Sequence, residues 1–244
     1  MMEVFQLYTE GELGKKEASV ISYKNAYFDQ LQVIDSIRFA VRSQSHKSKK
    51  QVLGILSLSP IPKLNFSENS ISIHQKNIFD IDGKLLLDNK KIYYVFYYKN
   101  KILSNDYTLQ KSEHFNTIDT IREAKIKIIT LSNGHQKMGA PPLMTNKNAV
   151  VYQSILFNHS NLIGKHENKK QWSKSSIIDV YNTKTKKYWG SLYVQNRGNN
   201  KMSQMLVSDK YMYILIGQEI VRYRLAQAIK EQFKIGEAEN LLSE

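Results

Sequence analysis

Short apolar runs, each of strand length and each cut off by turn chemistry, set the strongest limit on what this chain can fold into. The run Ile92-Tyr93-Tyr94-Val95-Phe96-Tyr97-Tyr98 is β-branched and aromatic throughout. Ile71-Ser72-Ile73-His74 alternates with period two, and Val150-Val151-Tyr152-Gln153 and Met212-Tyr213-Ile214-Leu215 do so less cleanly. Such runs suit a pleated surface whose side chains point alternately to two faces. The 15 Tyr and 9 Phe favour the same geometry. Asp82-Gly83, Asn133-Gly134 and Arg197-Gly198-Asn199-Asn200 supply turn residues between runs. These signals predict about 15 strands and almost no helix before the C-terminus.

The runs also repeat. Leu86 to Tyr94, Leu143 to Val151 and Leu206 to Ile214 each read as a strand, a polar Asn/Asp-Lys turn and a second strand, with Asn89, Asn146 and Asp209 spaced 57 and 63 residues apart. A second set aligns Val33-Ile34-Asp35-Ser36-Ile37-Arg38 with Thr117-Ile118-Asp119-Thr120-Ile121-Arg122, and Ile177-Ile178-Asp179-Val180-Tyr181 is a looser copy. A unit of about 60 residues, a hairpin followed by a further strand pair, fits one four-stranded propeller blade with long loops. One such sheet cannot bury both faces alone, so neighbouring copies must stack. The expected fold is therefore all-β, a β-propeller of about four blade-like repeats over residues 1–225. A helical tail is expected over 226–244. Leu225, Ile229 and Phe233 form its narrow apolar stripe, starting just ahead of it.

Two stretches carry a family resemblance. Ser176 to Val194 looks like the outer hairpin of a blade, and Met205 to Leu225, ending in Val221-Arg222-Tyr223, looks like the inner hairpin of the next. Together they resemble the TolB-like and NHL-like six-bladed β-propellers of Bacteroidota, over residues 84 to 225. The resemblance implies a binding scaffold, usually exported. Six blades of this unit length would need roughly 330 residues, so the chain departs from the family in length.

Charge and motifs narrow the function classes. The net charge is +13, which suits an anionic partner. Arg, however, stands at only six positions, namely 38, 42, 122, 197, 222 and 224. Lys, a hydrated point charge rather than a bidentate reader of phosphate or bases, makes the rest. The lysines are scattered, with the longest clusters at Lys47 to Lys50 and Lys184 to Lys187, which reads as a solvated surface. The absence of cysteine removes disulfides, zinc thiolates and Cys nucleophiles. No apolar run approaches transmembrane length.

Asp80-Ile81-Asp82-Gly83 has its Gly two positions early for a calcium loop, and Lys91 stands where a bidentate Glu belongs. Gly11 to Lys16 lacks P-loop spacing, and no Gly-x-Ser-x-Gly elbow occurs. His159, His166 and Glu167 have no established metal spacing. Asp35, Asp119 and Asp179 recur, which favours a structural role, with a cation-binding ring as the alternative. Tyr93, Tyr94, Phe96, Tyr97 and Tyr98 read as core, with a sugar- or base-stacking face as the alternative.

No catalytic, cofactor-binding or metal residue is therefore assigned, no cofactor is expected, and the ligand-binding residues are left open. The expectation is a non-enzymatic scaffold with a protein or glycan partner, acting through the loops Gln44–Lys50, Ser132–Ala140, His159–Lys174 and Gln195–Ser203. One alternative is a propeller-type hydrolase or lyase with a channel metal, which requires His135, His159, His166 and the repeated Asp residues to converge. Another is nucleic-acid or polyanion binding through the Lys-rich surface. An unclosed ring would favour a homo-oligomer. The expected location is periplasmic or cell-surface if a leader has been removed, and cytoplasmic if the chain is complete.

Overall fold

The computed structural model describes residues 6–8, 20–22, 27–45, 48, 50–59, 61–67, 70–71, 75–77 and 79–231. The strand expected at Ile71–His74, the Gly11–Lys16 motif, His46, His74, Phe233 and the turn expected after it lie wholly or mostly outside these residues.

Two short strands, β1 (Gln6–Tyr8) and β2 (Val20–Ser22), pair antiparallel. Four antiparallel blades in a propeller arrangement follow. The first is β3 (Phe28–Val33), β4 (Arg38–Gln44), β5 (Gln51–Ser57) and β6 (Lys63–Ser67). The second is β7 (Gly83–Asp88), β8 (Lys91–Phe96), β9 (Lys101–Asp106) and β10 (Ser112–Asn116). A small hairpin, β11 (Ile128–Thr130) with β12 (Gln136–Met138), separates it from the third blade. That blade is β13 (Asn146–Tyr152), β14 (Ile155–Ser160), β15 (Ser175–Asn182) and β16 (Lys187–Gln195), with a one-turn helix α1 (Lys169–Ser173) between β14 and β15. The fourth has, among the described residues, three strands, β17 (Met202–Val207), β18 (Tyr211–Ile216) and β19 (Glu219–Arg224). Each blade is a meander, and its first strand lies beside that of the next: β3 by β7, β7 by β13, and β13 by β17. Among the described residues β17 does not pack along β3 in this way. The far face of the fourth blade keeps Leu206 60% and Ile220 73% exposed.

The core consists of layers between blades. Leu53 and Ile55 of the first blade meet Leu85, Tyr94 and Phe96 of the second. The opposite face of the second blade sends Tyr93, Val95 and Ile102 against Leu156 and Tyr181 of the third. Ile155, Phe157, Ile178 and Val180 then meet Met205, Met212 and Ile214 of the fourth. Each large side chain so buried contributes about 1.5–3 kcal/mol. Strand β8 thus gives both faces to the core, which is why its aromatic run is continuous rather than alternating. Tyr93, Tyr94, Phe96 and Tyr98 are buried and Tyr97 is half-buried, which fits the core reading of this run.

Glycine and turn residues follow the same logic. Gly83 opens β7 instead of closing a hairpin turn, because a Cβ there would lie 2.4 Å from the Val95 carbonyl oxygen and 2.7 Å from the Tyr94 ring. Asn133-Gly134 does form a turn, with Gly134 at φ 82° and its N–H donating to the Leu131 carbonyl at 2.9 Å.

The repeat register differs from the expected one. Leu86–Tyr94 and Leu206–Ile214 are equivalent inner hairpins, but the matching turn of the third blade is Gln153-Ser154, not Asn146-Lys147. Both of its residues have positive φ, 47° and 65°. This conformation is normally marked by Asn or Gly. The neighbouring blade stabilises it: the Asp88 carboxylate accepts the Gln153 N–H at 2.9 Å and the Ser154 N–H at 2.6 Å.

The second repeat set is not equivalent at all. Asp35 sits in the β3–β4 turn, Asp119 follows β10, and Asp179 lies inside β15. Asp35 accepts the Ile37 and Arg38 N–H groups, and Asp119 accepts the Ile121 N–H. Both therefore cap local turns. Among the described residues the C-terminal helix covers 227–231, with Leu225 buried just before it and Ile229 packed on the core between blades three and four.

Candidate functional site

The apolar row Ile155-Phe157 on β14 faces the fourth blade, and the next residue on that face is His159. Strand alternation alone puts an imidazole at the end of a buried layer. Opposite it, the β13–β14 ladder runs Asn146 to Ser160 and then Asn148 to His159, which leaves Lys147 as the extra residue of a β-bulge. A bulge redirects a side chain that regular pairing would place elsewhere. A second irregularity falls between Met202 and Gln204 at the start of β17. Asn148 joins the two, its amide donating to the Ser203 carbonyl at 3.1 Å and to Gln204 Oε1 at 3.2 Å.

The two loops over this edge are fastened to each other. The Asn168 side chain caps α1 by accepting the Lys170 and Gln171 N–H groups at 2.9 and 3.2 Å. Glu167 accepts the Gly164 N–H at 2.9 Å and the Tyr193 hydroxyl at 2.5 Å. Asn196 donates its N–H to the Lys174 carbonyl at 2.9 Å and its amide to the Ser173 carbonyl at 3.2 Å. The Met202 N–H reaches Ser176 Oγ at 3.2 Å. Between the loops lies a small cleft, open to solvent at its mouth, with room for about one water-sized group. Lys147, His159, Trp172, Ser175 and Lys201 are among the residues that line it, and no lining residue is acidic.

The cleft is cationic and short of hydrogen-bond partners. The Lys201 ammonium sits 5.3 Å from the centroid of the Trp172 ring, a cation–π contact that fixes it over the opening. His159 and Ser175 are each only 3% exposed, yet Nδ1 of the one and Oγ of the other have no hydrogen-bond partner in the protein. Leaving a buried polar atom unpaired costs about 1–3 kcal/mol. Burial, and then the charges of Lys147 and Lys201, push the His159 imidazolium down to about 4, from an ordinary 6.5. The ring is therefore neutral at pH 7. Burial and Lys201 likewise lower the Lys147 ammonium.

Of the four expected loops, His159–Lys174 and Gln195–Ser203 converge here. His159 is the one residue of the expected His/Glu set that enters the cleft. His166 is exposed on the loop, and Glu167 is committed to Gly164 and Tyr193. His135 is exposed in the β11–β12 turn. Asp179 is buried on the other face of β15, accepting from Ser191 at 2.5 Å. Among the described residues no group of three His, Asp or Glu side chains could hold a metal ion, so the convergence that a channel-metal enzyme requires does not occur there. Sequence reasoning did not single out Lys147, Trp172, Ser175 or Lys201 as site residues. Asn168 before Lys169-Lys170-Gln171-Trp172 is the one local signal, an N-cap, that could have found α1. No helix among the described residues is long and apolar enough to cross a membrane. No family model matches the chain, and no curated protein matches it.

Proposed function

We propose that the chain is a non-catalytic binding scaffold that recognises its partner, a protein or a glycan, at the cleft between the third and fourth blades. The observation that carries this reading is the convergence of Lys147, His159, Trp172 and Lys201 on one opening held by two fastened loops. Inter-blade loops on a rigid sheet scaffold are where such folds place recognition. The resemblance of residues 84–225 to exported propellers supports a periplasmic or cell-surface setting.

The test compares the purified chain with the double variant Lys147→Gln, Lys201→Gln as baits in extracts of the source cell, at low and moderate salt. A partner retained at moderate salt by the wild type and lost by the variant supports the reading. A partner held equally by both places recognition elsewhere. Nucleic acid held only at low salt would favour the polyanion alternative instead.

A further inference from the structure

We propose that the β11–β12 hairpin docks the protein on an anionic lipid bilayer, through a surface that shares no residue with the cleft. Among the described residues the two strands pair only with each other, and no residue from Arg122 to Leu143 is buried. Ile128 pairs with Met138, Ile129 with Lys137 and Thr130 with Gln136. The Leu131 N–H donates to the His135 carbonyl at 2.8 Å and carries the ladder one pair further. Strand alternation then divides the side chains between two faces. Ile128 and Met138 share one face and are half-buried. Lys127, Ile129 and Leu131 share the other with His135, Lys137 and Gly139, and all six are exposed. Gly139 confirms the division, since a Cβ there would lie 2.9 Å from Ile129 Cγ2 and 3.3 Å from Lys127 Cγ. A hairpin that only packed on the body would turn a polar face to water. This one turns out Ile129 at 36% and Leu131 at 39% exposure, with Leu143 on the returning chain at 47%.

Charge selects the occupant. Lys125, Lys127 and Lys137 are exposed on this segment. The sequence holds no Asp or Glu between Glu123 and Glu167, and Glu123 is taken by Lys76 at 2.7 Å. The outward face is therefore apolar at Ile129 and Leu131 and cationic around them. An anionic bilayer meets both needs. Its headgroups take the ammonium groups, while the lysine stems and the two apolar side chains reach the acyl boundary. Nucleic acid supplies the charge but no apolar layer for Ile129 and Leu131 to enter. A partner's strand added to the hairpin is disfavoured by lysine on both of its sides, since edge lysines block strand pairing. The outer edges of β11 and β12 have no strand partner among the described residues. Such backbone groups stay at the wet headgroup level and out of hydrocarbon. The hairpin thus lies on the membrane surface and does not cross it.

The experiment sediments the purified chain with vesicles of phosphatidylcholine alone and with vesicles about one-third phosphatidylserine, at low and moderate salt. Binding should be at least about tenfold stronger on the anionic vesicles and should weaken with salt. One lysine near such a surface multiplies binding about fivefold, so Lys127→Gln, Lys137→Gln should lower it about twentyfold. Ile129→Ser, Leu131→Ser should lower it severalfold and leave the salt dependence unchanged. The whole chain is cationic, so the control Lys187→Gln, Lys210→Gln removes the same charge from exposed positions elsewhere. At moderate salt its effect should be far smaller, because distant charges are screened. All six positions are exposed, and far-UV circular dichroism checks that each variant keeps the fold. Equal binding to both kinds of vesicle overturns the inference, as does a control that loses as much as the hairpin variant. Short duplex DNA held more tightly than the anionic vesicles, with no loss in Ile129→Ser, Leu131→Ser, would assign the hairpin to nucleic acid instead.

Discussion

Acid should unfasten the third and fourth blades through one residue, His159. Its ring continues the buried row of Phe157 and has no partner at Nδ1. Folding holds the imidazolium down to about 4, against an ordinary 6.5. The folded state therefore refuses a proton that the unfolded chain accepts below about pH 6.5. The stability tied to the neutral ring is fully present above that value, is lost as the pH falls towards 4, and changes no further below. A gap of about 2.5 units at about 1.4 kcal/mol each amounts to about 3 kcal/mol, a large share of a typical folding free energy. His159→Gln keeps a polar side chain there but cannot titrate. Urea unfolding of both proteins at pH 7, 6, 5 and 4, followed by Trp172 and Trp189 fluorescence, reads the third blade directly. Burial raises Asp82, Asp88 and Asp179, whose contribution has the opposite sign. Both proteins share these carboxyls, so they cancel in the difference. Wild type should lose about 3 kcal/mol more than the variant between pH 7 and pH 4. Parallel losses in the two proteins would refute the assignment of this energy to His159.

The blade interfaces give three further expectations. Asp88→Ala removes the acceptor for the Gln153 and Ser154 N–H groups and should cost about 2 kcal/mol in urea unfolding, with no loss if that turn holds its positive φ unaided. Arg42 donates from Nε to Asp29 at 2.8 Å and from Nη1 to Tyr94 Oη at 2.9 Å and Asp82 at 3.3 Å. Arg42→Ala should therefore destabilise by about 3 kcal/mol. Arg42→Lys should recover little of that loss, because an ammonium cannot span the same acceptors; full rescue in thermal unfolding would contradict this. Gly83→Ala places a Cβ 2.4 Å from the Val95 carbonyl oxygen and should cost about 1–3 kcal/mol, measured as a lowered urea midpoint at unchanged slope.

Much of the architecture was legible because strand and turn signals are local. The alternating runs, the doubly buried β8, and the turns at Asn133-Gly134 and Arg197–Asn200 all follow from side-chain chemistry within a few residues. The blade register was not legible. The Gln153-Ser154 turn lacks the usual residues and takes its conformation from Asp88 of the preceding blade. The recurring Asp35, Asp119 and Asp179 misled for the converse reason: similar hexapeptides served a hairpin turn, a loop and a strand interior.

The chain by itself determined an all-β repeat protein with a cationic surface, because pattern and composition act over short range. Only the tertiary structure decided which basic residues line the cleft. Lys147 reaches the cleft through a bulge, and Lys201 arrives on a loop of the next blade. His159, rather than His166, is chosen because strand alternation turns it into the blade interface. The cleft depends on groups brought together across stacked sheets, and no spacing along the chain encodes that distance.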